Sequence, residues 1–540
     1  MRQALKVLAC AALLAALGGC THRVEVAGQR HSWTRPHVLR AAIAFDPRSL
    51  SPLLATSVYE LDLERLIFDA LVTYDERGHP VPDLASRVPT LANGDVARDG
   101  RAVTFHLRRG VRWQDGAALT SADVAWTARA IVDPHNIATF RGGFDRIASI
   151  ETPDPYTITF RFANPYPPAA VQIFGDDIWA YGVLPKHLLA RYRSLDEAEF
   201  FTKKPIGSGP FAVASWRRGD RIELVANPAY FQGRPKLEKI VVSFVPNPQT
   251  ELVLLREHAI DWYPTVPAQD VAAVKAIDGV RVLMKPQNRF VSVAFNAARA
   301  PLDDANVRRA IALGLDRASI TSALMHGTAQ EAVADIAPIV WAYPRGLLPL
   351  PYAPAEAARL LEKAGWTMGA DGVRHKNGKR LELQLVYARA LTYADLGAEI
   401  EQQLGRIGVA VDLRGYSREL LYTAQGVLQR GGFDMALQSW EGGLDPDDSF
   451  LFRCGQLPPA GQNYGRYCSA EMDRLQAAAM GVVQPEARRR AYRQIERLLL
   501  ADVPQTFVWW PGDPHAVNSD FLHFRPNPVI DTWNAFEWDI

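Results

Sequence analysis

Thr104-Phe105-His106-Leu107-Arg108-Arg109-Gly110-Val111-Arg112-Trp113, followed by Asp115-Gly116 and Leu119-Thr120-Ser121-Ala122-Asp123-Val124, runs strand, turn and helix start in close succession. Val103 to Leu107 alternates apolar and polar side chains, the period of a half-buried strand. Asp115-Gly116 is a hairpin-type turn signal. Thr120 or Ser121 then offers a side-chain oxygen as N-cap for a helix reaching about Val132. The same mixture extends outward. Val38 to Ala44 predicts a strand and Tyr59 to Leu71 an amphipathic helix. Pro354 to Gly365 and Leu396 to Gly408 predict helices closed by glycine, the first opening on a proline that a first turn tolerates. Pro485 to Ala501 predicts a long amphipathic helix carrying Arg488, Arg489 and Arg490. Strands alternating with helices, without a fixed-period repeat, give an α/β class of doubly wound sheets covered by helices.

The chain has 540 residues, 48% hydrophobic, 22% charged and 10% aromatic. This composition is globular, with length for about three to four domain-sized units. Disordered regulators and disulfide-stapled miniproteins are excluded. Its 60 basic and 59 acidic side chains leave a formal charge of +1 without blocks of like charge. Nucleic acid is therefore not an expected partner.

Arg2 and Lys6 precede an apolar run from Val7 to Leu17, about half the length that crosses a bilayer. Residues 1–19 read as a signal peptide. Leu17-Gly18-Gly19-Cys20 resembles a bacterial lipobox, in which small residues fit the peptidase and the cysteine thiol receives diacylglycerol. By that resemblance Cys20 is the lipidated mature N-terminus; ordinary cleavage that leaves a free cysteine is the alternative. Losing the two positive charges of Arg2 and Lys6 takes the formal charge from +1 to −1. No later run of about eighteen apolar residues follows, so no transmembrane helix is expected. Residues 20–37 are polar, include His22, His31 and His37 without a compact metal spacing, and predict a flexible tether. Cys10 leaves with the signal and Cys20 is acylated, so Cys454 and Cys468 remain as a pair in an oxidising compartment and predict a disulfide. A metal site there is the weaker reading, since no second Cys or His cluster is near. No metal and no cofactor is assigned.

Further segments keep a common order. They are Ile67-Phe68-Asp69-Ala70-Leu71-Val72 with Tyr74-Asp75, Pro82-Asp83-Leu84-Ala85, Ile206-Gly207-Ser208-Gly209-Pro210-Phe211 and Asn227-Pro228-Ala229-Tyr230-Phe231. Val307-Arg308-Arg309-Ala310-Ile311, Tyr352 to Trp366, Gly432-Phe433-Asp434-Met435 and Asn463-Tyr464 with Tyr467 follow. With the opening stretch, these make the chain resemble family 5 extracellular solute-binding proteins, the dipeptide-, oligopeptide- and nickel-binding receptors of ABC importers, from about Val38 to Pro526. Each segment also has a physical reading: Gly207 and Gly209 beside Pro210 suit a tight turn into a strand, and Asn227-Pro228 a turn start. Ser208 is not a nucleophile elbow, because the five-residue Gly-x-Ser-x-Gly pattern is absent.

The resemblance implies a periplasmic-binding-protein type II fold, two lobes joined by two crossover strands and closing over a ligand. Lobe I is placed at 38–285 and 510–540, with a subdomain inserted near 76–185, and lobe II at 286–509. The crossovers are expected near Arg289 to Ala294 and Thr506 to Trp510.

In peptide-binding members of that family, a Trp followed three residues later by Asp offers a carboxylate to the peptide α-ammonium. Here Trp440-Glu441-Gly442-Gly443 precedes Leu444-Asp445-Pro446-Asp447-Asp448-Ser449-Phe450, so Gly443 stands where that Asp would be. Glu441 or Asp445 is the substitute candidate, since a charge-assisted bond needs only a carboxylate in reach. The alternative is a solvated turn of Asp445, Asp447 and Asp448 capping the helix after Ser449. Trp341 and Tyr343 match the segment where a tryptophan approaches the ligand. Trp509-Trp510 lie on a predicted crossover, where alternation lets one face the cleft, and Trp510 is the candidate. Core packing is the alternative for every ring, Trp440 included. Thr56-Ser57-Val58-Tyr59 resembles the family loop before the first helix, placing Ser57 and Tyr59 against an extended ligand. Arg389 offers a fork of donors to a ligand carboxylate, with a surface salt bridge as the alternative.

The function these features imply is capture of a small solute, a di- or oligopeptide first, with nickel, an opine or a sugar as alternatives. Delivery would be to an inner-membrane ABC permease, by a monomer held in the cell envelope through the lipid on Cys20. The rival is a secreted hydrolase pairing Glu441 with a loop aspartate. No Ser-His-Asp or Glu-x-x-His spacing supports it, and Gly442-Gly443 would hold such a pair loosely, so no catalytic residue is assigned.

Overall fold

The computed structural model describes residues 30–176, 181–196 and 198–540. Cys20 and the signal segment lie outside the described residues. Twelve strands form one mixed sheet: β1 (Val38–Ile43), β2 (Phe211–Arg217), β3 (Arg221–Ala226), β4 (Lys239–Phe244), β5 (Trp262–Tyr263), β6 (Val280–Pro286), β7 (Arg289–Phe295), β8 (Ala329–Glu331), β9 (Glu382–Ala388), β10 (Ala410–Tyr416), β11 (Met435–Glu441) and β12 (Gln505–Asn518). The order is β10-β9-β11-β7-β12-β5-β1-β4-β3-β2, with β6 and β8 also on β12.

Strand β12 belongs to both lobes. Its first half pairs antiparallel with β7, from Ala294↔Gln505 to Val291↔Trp509. Its second half pairs with β6, from Pro286↔Gly512 to Val280↔Asn518. Since β6 and β7 are separated only by Gln287-Asn288, the chain crosses between lobes at 286–289 and again at 510–512. The crossings thus fall at the start of the first expected segment and at the end of the second. Pro511, which has no N–H for a ladder, sits where β12 changes partner.

In the first lobe, Leu39 and Ile43 of β1 share one core with Ile67 and Phe68 and with Phe105, Ile131 and Phe160 of the inserted segment. That segment is a three-stranded sheet (Ala102–His106, Ile147–Asp154, Thr157–Phe162) covered by the helix Ser121–Val132. The Thr120 N–H donates to Asp123 Oδ2 at 2.9 Å, closing the helix start. The second lobe packs Val291 and Val293 of β7 against Leu385, Ile400, Met435 and Trp509. A third core, around Phe290, Ile336, Phe507 and Trp510, also takes Leu61, Tyr74 and Ile530 from the first lobe.

Two expectations are corrected. The helix expected over Tyr59 to Leu71 is Val58–Arg65. The carbonyls of Leu66 and Ile67, which would continue it, instead accept the N–H groups of Phe211 (2.9 Å) and Gly209 (2.8 Å). A Cβ on Gly207 would lie 1.7 Å from the Ile67 oxygen, so this close approach explains the glycines. The tether expected over 20–37 is docked from Arg30 onward, because its few anchoring groups find distant partners. The His31 N–H and the Thr34 hydroxyl donate to Asp520 (2.7 and 2.6 Å), and Trp33 stacks between His31 and His258 at 4.4 and 3.8 Å.

Candidate functional site

A cavity of about 330 Å³ opens where β11 ends. One wall is Trp440, Glu441, Gly442 and Gly443 with the following loop to Phe450; Phe140 and Gln172 of the first lobe face it. Alternation along β11 sends Met435 and Leu437 into the core of the second lobe. Trp440 packs on Phe450 with ring centroids 4.7 Å apart, and continues into an adjoining space of about 50 Å³ lined by Tyr464 and Gln505.

Asn288, between β6 and β7, fixes the turn that leaves β11. Its carbonyl accepts the Gly442 N–H at 2.8 Å, its Nδ2 donates to the Gly443 carbonyl at 2.6 Å, and its Oδ1 accepts the Ala337 N–H at 3.3 Å. A Cβ on Gly442 would stand 2.9 Å from that Nδ2, so a side chain there would push the Asn288 amide aside. The expectation that Gly442-Gly443 is loose is therefore corrected.

Glu441 lines the cavity, and no described residue donates a hydrogen bond to its carboxylate. Burial pushes its carboxyl above the usual range, against the opposing pull of Arg289 and Lys285. Asp445 also lies in the wall but is engaged: Arg488 donates to Oδ2 at 2.6 Å and to Oδ1 at 2.7 Å, with both side chains buried. The Asp445, Asp447 and Asp448 loop is not a solvated turn. Burial raises Asp447, and burial with Asp335 raises Asp448 well above the usual range, while Gln476 donates to Asp448 Oδ1 at 2.6 Å. Arg, Lys and His are absent from the described lining of this cavity.

Six other candidates stand elsewhere. Ser57 is the N-cap of Val58–Arg65, accepting the Glu60 N–H at 3.3 Å, and the Thr56 N–H donates to Glu60 Oε2 at 2.8 Å, so that loop's polar groups are already used. The Tyr59 hydroxyl pairs with Thr265, near Asp513, and burial raises it. Arg389 is exposed and donates from Nε to the Gly415 carbonyl at 3.1 Å. Trp510 is buried edge-on to Tyr343 at 5.7 Å, beside a separate pocket of about 180 Å³. Trp341 and Tyr343 line a groove on the other side of the 335–343 loop, Trp341 lying 5.4 and 5.6 Å from the guanidiniums of Arg488 and Arg489. Sequence reasoning missed Phe140, Gln172, Asp335 and Asn288; only the turn position of Asn288 carried any local signal. Cys454 and Cys468 form a disulfide. Among the described residues no group of three or more His, Cys, Asp or Glu side chains is placed to hold a metal ion, and no helix is long and apolar enough to cross a membrane.

The family described as Bacterial extracellular solute-binding proteins, family 5 Middle, matches residues 79–459. The oligopeptide-binding protein AppA of Bacillus subtilis is 26% identical over 499 residues, covering 91% of this chain and 90% of that one. The di/tripeptide-binding protein 2 of Pseudomonas aeruginosa is 25% identical over 520 residues, covering 91% and 94%. The structure of the Bacillus subtilis protein in complex with a nonapeptide superposes with a TM-score of 0.75 over 93% of this chain and 99% of that one. NikZ from Campylobacter jejuni, in complex with Ni(L-His), shares the fold with a TM-score of 0.79 at 24% identity, over 94% and 100%.

Proposed function

The chain belongs to the family 5 bacterial extracellular solute-binding proteins, and on that premise we propose that it is the substrate-binding receptor of an ABC importer, holding a peptide in the cavity at the end of β11. The observation that carries the ligand class is the unbonded Glu441 carboxylate in a cavity closed by both lobes, two residues before Gly443. An ammonium enclosed on closure needs a carboxylate, and Glu441 has one to offer whereas Asp445 is held by Arg488. The aromatic faces of Phe140, Phe290, Trp440 and Phe450 supply contact area that tolerates varied side chains.

Calorimetry with an unbiased peptide set tests this. Glu441→Gln is expected to weaken binding of free-amine peptides by about 3–5 kcal/mol, a hundredfold or more. Full-strength binding by the variant would place the amine elsewhere, and failure of every peptide to bind wild type would remove the peptide reading. The envelope location is proposed to be secured by lipid on Cys20. Cys20→Ser is expected to abolish lipid labelling and membrane retention; unchanged retention would reject the anchor.

A further inference from the structure

A second concave site lies outside the ligand cavity. It is a groove of about 740 Å³ whose walls come from both lobes. Arg77 and His79 stand on the turn between the strands Val72–Tyr74 and Pro80–Pro82 of the first lobe. Arg345, on the loop after Trp341, and Arg489 and Arg493, one turn apart on the helix Pro485–Asp502, come from the second. The carboxylates paired to these groups are Asp75, 3.3 Å from His79 Nδ1, and Glu486, which takes Arg489. The side chains of Arg77, Arg345 and Arg493 have neither an ion pair nor a hydrogen bond to any described residue. Three unpaired guanidiniums in one concavity make a strongly positive site with planar donor forks, the geometry that matches phosphate oxygens in pairs.

The groove also depends on the closed arrangement. Gly78, between Arg77 and His79, is seated on the second lobe: a Cβ there would lie 3.0 Å from Leu444 Cδ1 and 3.5 Å from the Ile339 carbonyl. Its rear wall is Trp341, which stacks on Arg489 and on Arg488, the residue that holds Asp445 in the ligand cavity. We propose that this groove binds a phosphate-bearing anion that bridges Arg77 of one lobe to Arg345 and Arg493 of the other. Such an anion has its full set of partners only with the lobes together, so its binding favours the closed state. The same chemistry is offered by a free phosphorylated solute and by the headgroup of an anionic lipid.

The test uses the full chain carrying Cys20→Ser, so that no acyl chain contributes, with inorganic pyrophosphate in calorimetry at physiological ionic strength. Flotation with vesicles of phosphatidylcholine, alone or mixed with phosphatidylglycerol, runs in parallel. Saturable pyrophosphate binding is expected, weakened about tenfold or more by Arg77→Ala and, separately, by Arg493→Gln, the loss of one charge-assisted contact each. Both side chains are exposed, and unchanged melting curves of the variants establish that folding is intact. Binding to phosphatidylglycerol vesicles that pyrophosphate displaces would assign the lipid source; pyrophosphate binding without vesicle binding would assign the free solute. Absence of both, or affinity in Arg77→Ala equal to wild type, overturns the bridging site.

Discussion

Replacing Arg488 by methionine removes the only cation bonded to Asp445 among the described residues and leaves a carboxylate in the wall of the cavity at the end of β11. The wild-type pair is bidentate at 2.6 and 2.7 Å, with side chains 5% and 3% exposed, so little water reaches either charge. Breaking a buried pair from one side costs about 3–5 kcal/mol, because the remaining ion is uncompensated. Loss of the guanidinium from the Trp341 and Tyr492 faces, at 5.4 and 5.5 Å, adds about 0.5–2 kcal/mol. Urea unfolding followed by tryptophan fluorescence should show this loss for Arg488→Met, and a loss of the same kind for Asp445→Asn, which strands the arginine. The double variant should lose less than the sum, by a coupling of a few kcal/mol. A deficit under about 1 kcal/mol, or a double variant no better than the sum, would refute the reasoning.

Burial and the neighbouring Asp335 charge hold the carboxyls of Asp448 and Glu496 well above the usual range, and burial raises Asp335. Raised carboxyls bind protons better folded than unfolded, so their contribution is favourable at about pH 4 and is lost as pH rises through the folded values. Glu496→Gln is expected to melt higher than wild type at pH 8, by about 1–3 kcal/mol of stability, with the gap closing toward pH 4; a gap independent of pH would sink this account. The Cys454–Cys468 bridge closes a loop of 14 residues' separation, and Cys454→Ser/Cys468→Ser is expected to lose roughly 3 kcal/mol, matching wild type under reductant. Free-thiol labelling of both cysteines in native, unreduced protein would contradict the bridge.

What the sequence announces is what its own neighbours enforce. The strand at Ala102–His106, the Thr120-capped helix and the proline-opened helices at Pro354–Lys363 and Pro485–Asp502 follow from alternation, caps and turn residues within a few positions. The helix after Ser57 ran too long on paper because the donors that end it, on Gly209 and Phe211, lie far along the chain. The docked segment around Trp33 was hidden likewise: Asp520, which receives Thr34, is 486 positions away. In the candidate site, motif resemblance pointed to Trp440 and Glu441. By sequence Asp445 is equally available, but Arg488, 43 positions on, occupies both its oxygens. Ser57 and Arg389 carried the right chemistry, but a helix cap and a carbonyl already use them. Phe140 and Gln172 reach the cavity only because the inserted segment shares the core of the first lobe.

Asn288 ties the cavity to the hinge. It lies in the two-residue link between β6 and β7, one of the two places where the chain passes between lobes, and its carbonyl, Nδ2 and Oδ1 are all spent on the second lobe. Two of those bonds hold Gly442 and Gly443, directly after Glu441. Rotation of one lobe against the other must be absorbed near 286–289 and 510–512, since β12 pairs rigidly on either side of that point. The backbone that positions Glu441 is thereby fastened to the pivot rather than to a free loop. Residue 443 contributes its carbonyl to this link, and the Glu441 carboxylate stands two residues earlier, at the end of β11. Rotation near 286–289 therefore acts on the same few bonds that place Glu441, directly instead of through a distant relay.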